Sequence, residues 1–180
     1  MSADEKERQL RSSTGTISIR RAVANDAPKI GAVFDAAVRE GWTYLGDLAR
    51  KPMFPPEEWD KLVTDHAPPN SLLVAIDGSA DVVGFTAVHA PEGEMFLLFV
   101  HPQHAGRGVG RRLLDAAHDA LRAAGWREAF LYTHEQNHRA LAVYEAAGYR
   151  RDGSVRESDF RGVHLREPRL VKSLEISSLE

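Results

Sequence analysis

The chain contains no cysteine. That excludes a disulfide scaffold, a thiolate zinc site, an iron–sulfur cluster and a cysteine nucleophile. No apolar run approaches the roughly 20 residues that a bilayer-spanning helix needs. Residues 1–11, MSADEKERQLR, lack the apolar core of a secretory signal. A cytoplasmic protein with no membrane partner is the expectation. Neither sign of charge dominates: 23 Lys and Arg stand against 26 Asp and Glu, a formal net charge of -3. Nucleic acid is therefore not an expected partner. What is present is the mix of a globular protein, 43% hydrophobic and 27% charged. Its 180 residues suit about one domain, large enough to hide roughly 70% of the unfolded surface.

Residues 1–15 are polar and without periodicity, and read as a mobile head. Residues 16–20 (TISIR) alternate as a first strand. Asn25 or Asp26 can cap a helix with Pro28 in its first turn and Ile30, Val33, Phe34, Ala37 and Val38 on one face, ended by Gly41. A turn-rich stretch with Trp42, Tyr44 and Phe54 precedes a second helix that begins at Pro55-Pro56 and is stopped by Pro68-Pro69. Residues 71–77 and 81–89 form a hairpin around Gly78-Ser79, and residues 94–100 extend it to an antiparallel meander. A helix follows with Val109, Leu113, Ala116, Ala117, Ala120 and Leu121 on one face, then a strand at 129–133. A last helix carries Ala140, Leu141, Tyr144 and Ala147. Two final strands surround 159–162. Both late helices end in Ala-Ala-Gly-aromatic, at Trp126 and Tyr149, which is shared helix-stop chemistry. The order predicts a mixed α/β (α+β) sheet with helices on it.

The most informative segment is VHPQHAGRGVGRRLL, residues 100–114. Gly106-Arg107-Gly108-Val109-Gly110 opens a helix after a strand. Glycines let backbone N–H groups converge, and the first-turn N–H groups of the helix are unpaired at the positive end of its dipole. Together they suit an anion such as a pyrophosphate, with Arg107, Arg111 and Arg112 at the rim. A P-loop would need GxxxxGK[ST], and a dinucleotide fingerprint would need GxGxxG; neither is here. On the glycines alone, an anion site and a tight turn with basic decoration both stand.

A second motif, NHRALAVYEAAGY at 137–149, lies one helix and one strand further on. With it the chain resembles the GNAT superfamily of acyl-CoA N-acyltransferases. Val100, Pro102, Gly108 and Gly110 match that family's pyrophosphate loop, although Ala105 stands where the pattern has Gln or Arg. Asn137, Ala140, Tyr144, Glu145, Gly148 and Tyr149 match the downstream motif. The resemblance covers about residues 16–174, read as one domain with a tail at 175–180. It implies a mixed central sheet of about seven strands, helices on both faces, and a splay between strands four and five. It implies acetyl-CoA as co-substrate, no metal, a small amine acceptor, and a homodimer paired through the final strands.

The implied coenzyme contacts are the backbone of Leu98, Phe99 and Val100, the loop Ala105, Gly106, Arg107, Gly108, Val109, Gly110 and Arg111, and Asn137 and Tyr144. An N–H at Leu98 or Phe99 would face the thioester oxygen. Tyr144 would protonate the leaving thiolate; its other reading is an aromatic on the helix's apolar stripe. Asn137 caps its helix on either reading. For the general base the candidates are Glu94, Glu135 and His134, with His89 and His101 at neighbouring strand ends, or a water chain. The eight histidines include no helical metal-ligand pair. Trp42, Tyr44, Phe54 and Trp59, with Asp47, Glu57, Glu58, Asp60 and Asp65, would suit a cationic acceptor with an apolar part; their other reading is a short amphipathic helix with a solvated acidic face. The expected activity is direct acetyl transfer to a primary amine in a ternary complex. The alternatives are a non-catalytic acyl-CoA sensor and a nucleotide-binding protein unrelated to acyl transfer.

Overall fold

A computed structural model describes residues 17–175; the head expected at 1–15, the first residue of the strand expected at 16–20, and all but Glu175 of the tail expected at 175–180 lie outside the described residues. The elements run β1 (Ser18–Arg21), α1 (Ala27–Gly41), α2 (Pro56–Asp65), β2 (Ser71–Ile76), β3 (Val82–His89) and β4 (Glu94–Val100). They continue with α3 (Val109–Ala123), β5 (Glu128–Tyr132), α4 (His138–Ala146), β6 (Arg150–Phe160) and β7 (Val163–Ser173). Short 3-10 turns precede α1, follow it over Thr43–Arg50, and follow β4. The strands form one seven-stranded sheet in the order β1-β2-β3-β4-β5-β7-β6. Only β4 and β5 pair in parallel; the other pairs are antiparallel.

The two faces of the sheet divide the core in two, and a bulge between β2 and β3 turns Val83 to the opposite face from Phe85. Val74, Phe85 and Ala87 face α1 and α2, where they meet Ile30, Phe34 and Trp59. Ala75 and Val83 face the other way, against Val109 and Leu113 of α3. Further along that second face, Leu114, Leu121, Leu131, Leu170 and Tyr144 close over β5 and β7. Each fully buried aliphatic side chain contributes about 1.5–3 kcal/mol, so both helical layers are held to the sheet by burial rather than by polar contacts.

Helix α1 is where the sequence expects it, but its start differs. Asp26 makes no side-chain bond onto the helix. It is 4% exposed, and a carboxylate at that depth needs a cation. Arg20 of β1 supplies one through two bonds of 2.6 and 2.9 Å, and Val23 N–H adds a third at 2.8 Å. The guanidinium contact holds the Asp26 carboxyl below its ordinary range. The pair therefore ties β1 to α1.

Helices α3 and α4 stop by the same device. Gly125 and Gly148 adopt φ of +93° and +90°, left-handed values that favour glycine. Trp126 N–H then donates to Leu121 O and Tyr149 N–H to Tyr144 O, at 3.1 and 3.0 Å. The second closure drives the Tyr149 ring into the core. There its hydroxyl lies 2.8 Å from Nε2 of His118 on α3, a buried histidine that the apolar periodicity did not place. Burial, and then the charges of Lys172 and Arg122, lower the His118 pKa to about 4.

The unfolded chain protonates this histidine near 6.5. Between those values the unfolded state binds more protons than the folded one. Stability is therefore full above about pH 6.5 and is lost as pH falls toward 4. Replacing His118→Gln should flatten the dependence: thermal midpoints measured at pH 7.5 and 5 should differ less in the variant than in the parent.

Candidate active site

The sheet opens at its centre. Strands β4 and β5 share one register pair, Glu94 with Phe130, reinforced by a 3.2 Å bond from Phe130 N–H to Gly93 O. Beyond it β5 follows β7, to which it is bonded over its whole length. The closed end is braced from outside. The Trp126 indole donates to Ala90 O at 2.6 Å and packs so tightly on Gly93 that a Cβ there would lie 2.9 Å from the ring.

Pairing with β3 decides which backbone groups line the opening. His101 N–H donates to Val83 O, and Phe99 lies opposite Phe85. Antiparallel alternation then turns the Phe99 amide toward β3 and leaves the N–H and C=O of Leu98 and Val100 facing the gap. A bulge places Phe96 outside the register. The gap continues into a cleft of about 390 Å³, lined by Leu98, Phe99, Val100, Ala105, Gly106, Gly110, Asn137 and Tyr144, with the end of α1 on the far side.

The glycine turn sits at the open end. Gly106 and Gly108 have φ of +74° and +80°, and nothing lies within 4 Å of where a Cβ would stand. Glycine is therefore required there by backbone conformation, not by space. Gly108 immediately precedes α3, and the first helical bond runs from Arg112 N–H to Gly108 O. The N–H groups of Val109, Gly110 and Arg111 are the unpaired donors of the first turn. Arg111 pairs with Asp115 at 3.2 Å, and Arg112 donates to Ile17 O. The Arg107 side chain has no ion pair among the described residues.

Tyr144 is 7% exposed and lines the cleft. Its ring meets Tyr149 edge-on at 5.8 Å. Burial alone pushes its phenol above the ordinary range, so the hydroxyl stays protonated and serves as a donor. Asn137 caps α4 by accepting Ala140 N–H at 3.2 Å. The first two turns of α4 therefore set both side chains.

The base candidates separate by geometry. Glu94 lies at the closed end of the gap, 13% exposed, with its Oε2 3.6 Å from Nδ1 of His89. His134 stacks on Tyr44 at 4.3 Å, and its Nδ1 accepts Gln136 N–H. Its neutral ring then carries the proton on Nε2 and acts as a donor. Burial lowers its pKa. Glu135 pairs with Arg166 at 3.2 Å. His101 spends Nδ1 on Gln103 N–H. No metal-holding cluster occurs among the described residues, and none of their helices is long and apolar enough to cross a membrane.

Of the two readings of the segment after α1, the structure takes the amphipathic helix for α2. Trp59 is core, and Phe54 packs on Phe34 and Trp59. Glu57, Glu58, Asp60 and Asp65 are exposed, on the solvated side of an amphipathic helix. Trp42 does reach the cleft. Sequence reasoning missed Glu40 and Arg139, which line the cleft and join α1 to α4 by a 3.1 Å ion pair. Arg139 follows Asn137 by two residues, but nothing in the sequence names its partner.

A family model described as the acetyltransferase (GNAT) family matches residues 33–149. The mycothiol acetyltransferase of Clavibacter sepedonicus is 31% identical over 147 residues, 80% of this chain and 45% of that protein. Its counterpart in Propionibacterium freudenreichii subsp. shermanii is 36% identical over 96 residues, 50% of this chain and 31% of that one. The chain thus spans less than half the length of these relatives. Among solved structures, the Salmonella typhimurium acetyltransferase yncA, determined with its cofactor acetyl-CoA, superposes with a TM-score of 0.69 at 17% identity, covering 92% of this chain and 98% of that one. Apo YjaB from Escherichia coli gives 0.64 at 28% identity, covering 87% and 97%.

Proposed function

The chain belongs to the acetyltransferase (GNAT) family, and from that premise we propose that it transfers an acetyl group from acetyl-CoA to a primary amine. The transfer is direct, in a ternary complex, and the acceptor is a small molecule or a peptide amine. The observation that carries this reading is that one cleft joins the glycine turn, the free edge of β4 and Tyr144. The names of the relatives support acetyl as the group moved.

In this reading the first-turn amides of α3 receive the pyrophosphate. The pantetheine arm lies along Leu98 and Val100, with Leu98 N–H as the donor to the thioester oxygen. An alkylammonium near pKa 10.4 is free base in only about one molecule in a few thousand at pH 7, a deficit of about 4–5 kcal/mol. Deprotonation therefore needs a base. The amine nitrogen then attacks the acetyl carbonyl, the N–C bond forms, and the C–S bond breaks. The departing thiolate takes a proton from Tyr144, and the proton that the attacking nitrogen sheds as it becomes an amide restores the phenol. Ala105, where related loops carry Gln or Arg, removes one side chain from the cradle but none of its amides.

Three outcomes check this reading. Adding acetyl-CoA at about 100-fold over its dissociation constant should stabilise the fold by about 2.7 kcal/mol, several degrees in the thermal midpoint, and ATP should not. Tyr144→Phe should lower kcat by about tenfold to a hundredfold, with coenzyme Kd nearly unchanged by calorimetry. Gly108→Val should weaken coenzyme binding by at least about tenfold while costing about 1–2 kcal/mol of stability, leaving a cooperative unfolding transition.

A further inference from the structure

Three rings form a column on the α1/α2 face of the sheet, across the opening between β4 and β5. Trp42, at the end of α1, stacks on Tyr44 with centroids 6.3 Å apart and planes 28° apart. Tyr44 stacks in turn on His134, just past β5, at 4.3 Å and 14°. The other end of the column rests on β4, where the Trp42 and Phe99 rings lie 5.8 Å apart. The rings therefore run from one side of the opening to the other. Four residues beyond the single Glu94–Phe130 pair, the two strands reach Leu98 and His134, so the column crosses near the Leu98 amide. Trp42 is the member that lines the cleft, and it has little freedom. Its N–H donates to Val38 O and its C=O accepts Leu45 N–H, at 2.8 and 2.9 Å. The Phe34 ring meets it edge-on at 6.0 Å. The column is also uncharged at neutral pH. Burial, and then the Glu167 charge, push the Tyr44 phenol up, and burial lowers the His134 pKa. On this side the cleft meets a stiff, neutral wall.

We propose that Trp42, backed by Tyr44 and Phe99, is the specificity-determining residue for the acyl group: it stands where a chain beyond the thioester carbonyl would extend, and it limits that chain to acetyl. The pantetheine arm enters from the glycine turn and passes Val100 before Leu98, so the acyl carbons are what emerges beyond Leu98. Further along the gap the strands close, with Phe130 N–H bonded to Gly93 O. Towards α3 and α4 the space is filled by Leu131, Leu141 and Tyr144. A longer acyl chain is left with the α1/α2 side, where the column stands. A ring plane accepts a methyl group in van der Waals contact. Each further carbon must displace Trp42 from Phe34, Phe99 and Tyr44 together, and close-packed side chains yield little. The inference rests on the acyl-transfer reading above and gives acetyl selectivity a physical cause.

The test is calorimetric binding of acetyl-, propionyl-, butyryl- and hexanoyl-CoA to the full chain and to its W42A and W42F variants, a measurement that needs no acceptor. The parent should bind acetyl-CoA best and butyryl-CoA at least about tenfold more weakly. In W42A the order should reverse, each added methylene now gaining up to about fourfold, and W42F should fall between the two. A substitution that only loosened the fold would weaken all four ligands by one factor and keep their order, so the ratio reads the wall and not the stability. If W42A lacks a cooperative unfolding transition, the W42F ratio decides, and a parental value there overturns the assignment. Parental order in a folded W42A, or a parent that binds hexanoyl-CoA as tightly as acetyl-CoA, would overturn the wall while leaving acyl transfer standing. A parent that binds none of the four would overturn the transfer reading itself, and the wall with it.

Discussion

Neighbouring parallel strands normally satisfy one another's backbone along their whole length. Here β4 and β5 meet at one pair, Glu94 with Phe130, and then part. The remaining donors and acceptors of Leu98 and Val100 have no strand to bond. Unpaired backbone groups in a protein interior are costly, so a sheet tolerates such a gap only where something polar occupies it. The rest of the fold is organised around that requirement. The long ladder to β7 pulls β5 outward, α1 and α4 wall the gap from opposite faces, and the glycine turn brings a second set of unpaired amides to its mouth.

Much of this was legible in the residues because the devices involved are local. The turn at Gly106 to Gly110 needs left-handed backbone at two positions, and glycine is the residue that adopts it freely. The Ala-Ala-Gly-aromatic endings announced helix stops, and both form as expected. Strand β4 spans residues 94–100, as its unbroken apolar run between turn signals suggests. Asn137 as a cap also follows from a signal within a few positions, whereas the mixed sheet of about seven strands was implied by the resemblance to the GNAT superfamily.

What escaped was whatever depends on two distant segments meeting. Asp26 reads as a helix cap until Arg20 is seen beside it. Periodicity cannot say that Phe99 turns its amide to β3 while Leu98 keeps its own free; that is a matter of register. His118 looks like a polar interruption on an apolar stripe, and only the Tyr149 hydroxyl explains its depth. The acidic residues of α2 fitted a cationic ligand or a solvated helix face equally well in sequence, and the buried Trp59 on the opposite side decides for the second. Glu94 was visible as a carboxylate at a strand start, whereas the ring it touches comes from the opposite side of a tight turn.

The brace at the closed end of the gap carries one more consequence. Trp126, delivered by the helix stop of α3, is bonded to Ala90 and wedged against Gly93. Strands β4 and β5 thus behave as two arms hinged at a fulcrum, with the tryptophan as its pin. Any force that spreads the arms at their free ends is levered onto that pin, over a distance of several residues. The width of the opening is then set by the stiffness of a joint that touches no ligand, at the end of the wedge remote from the glycine turn.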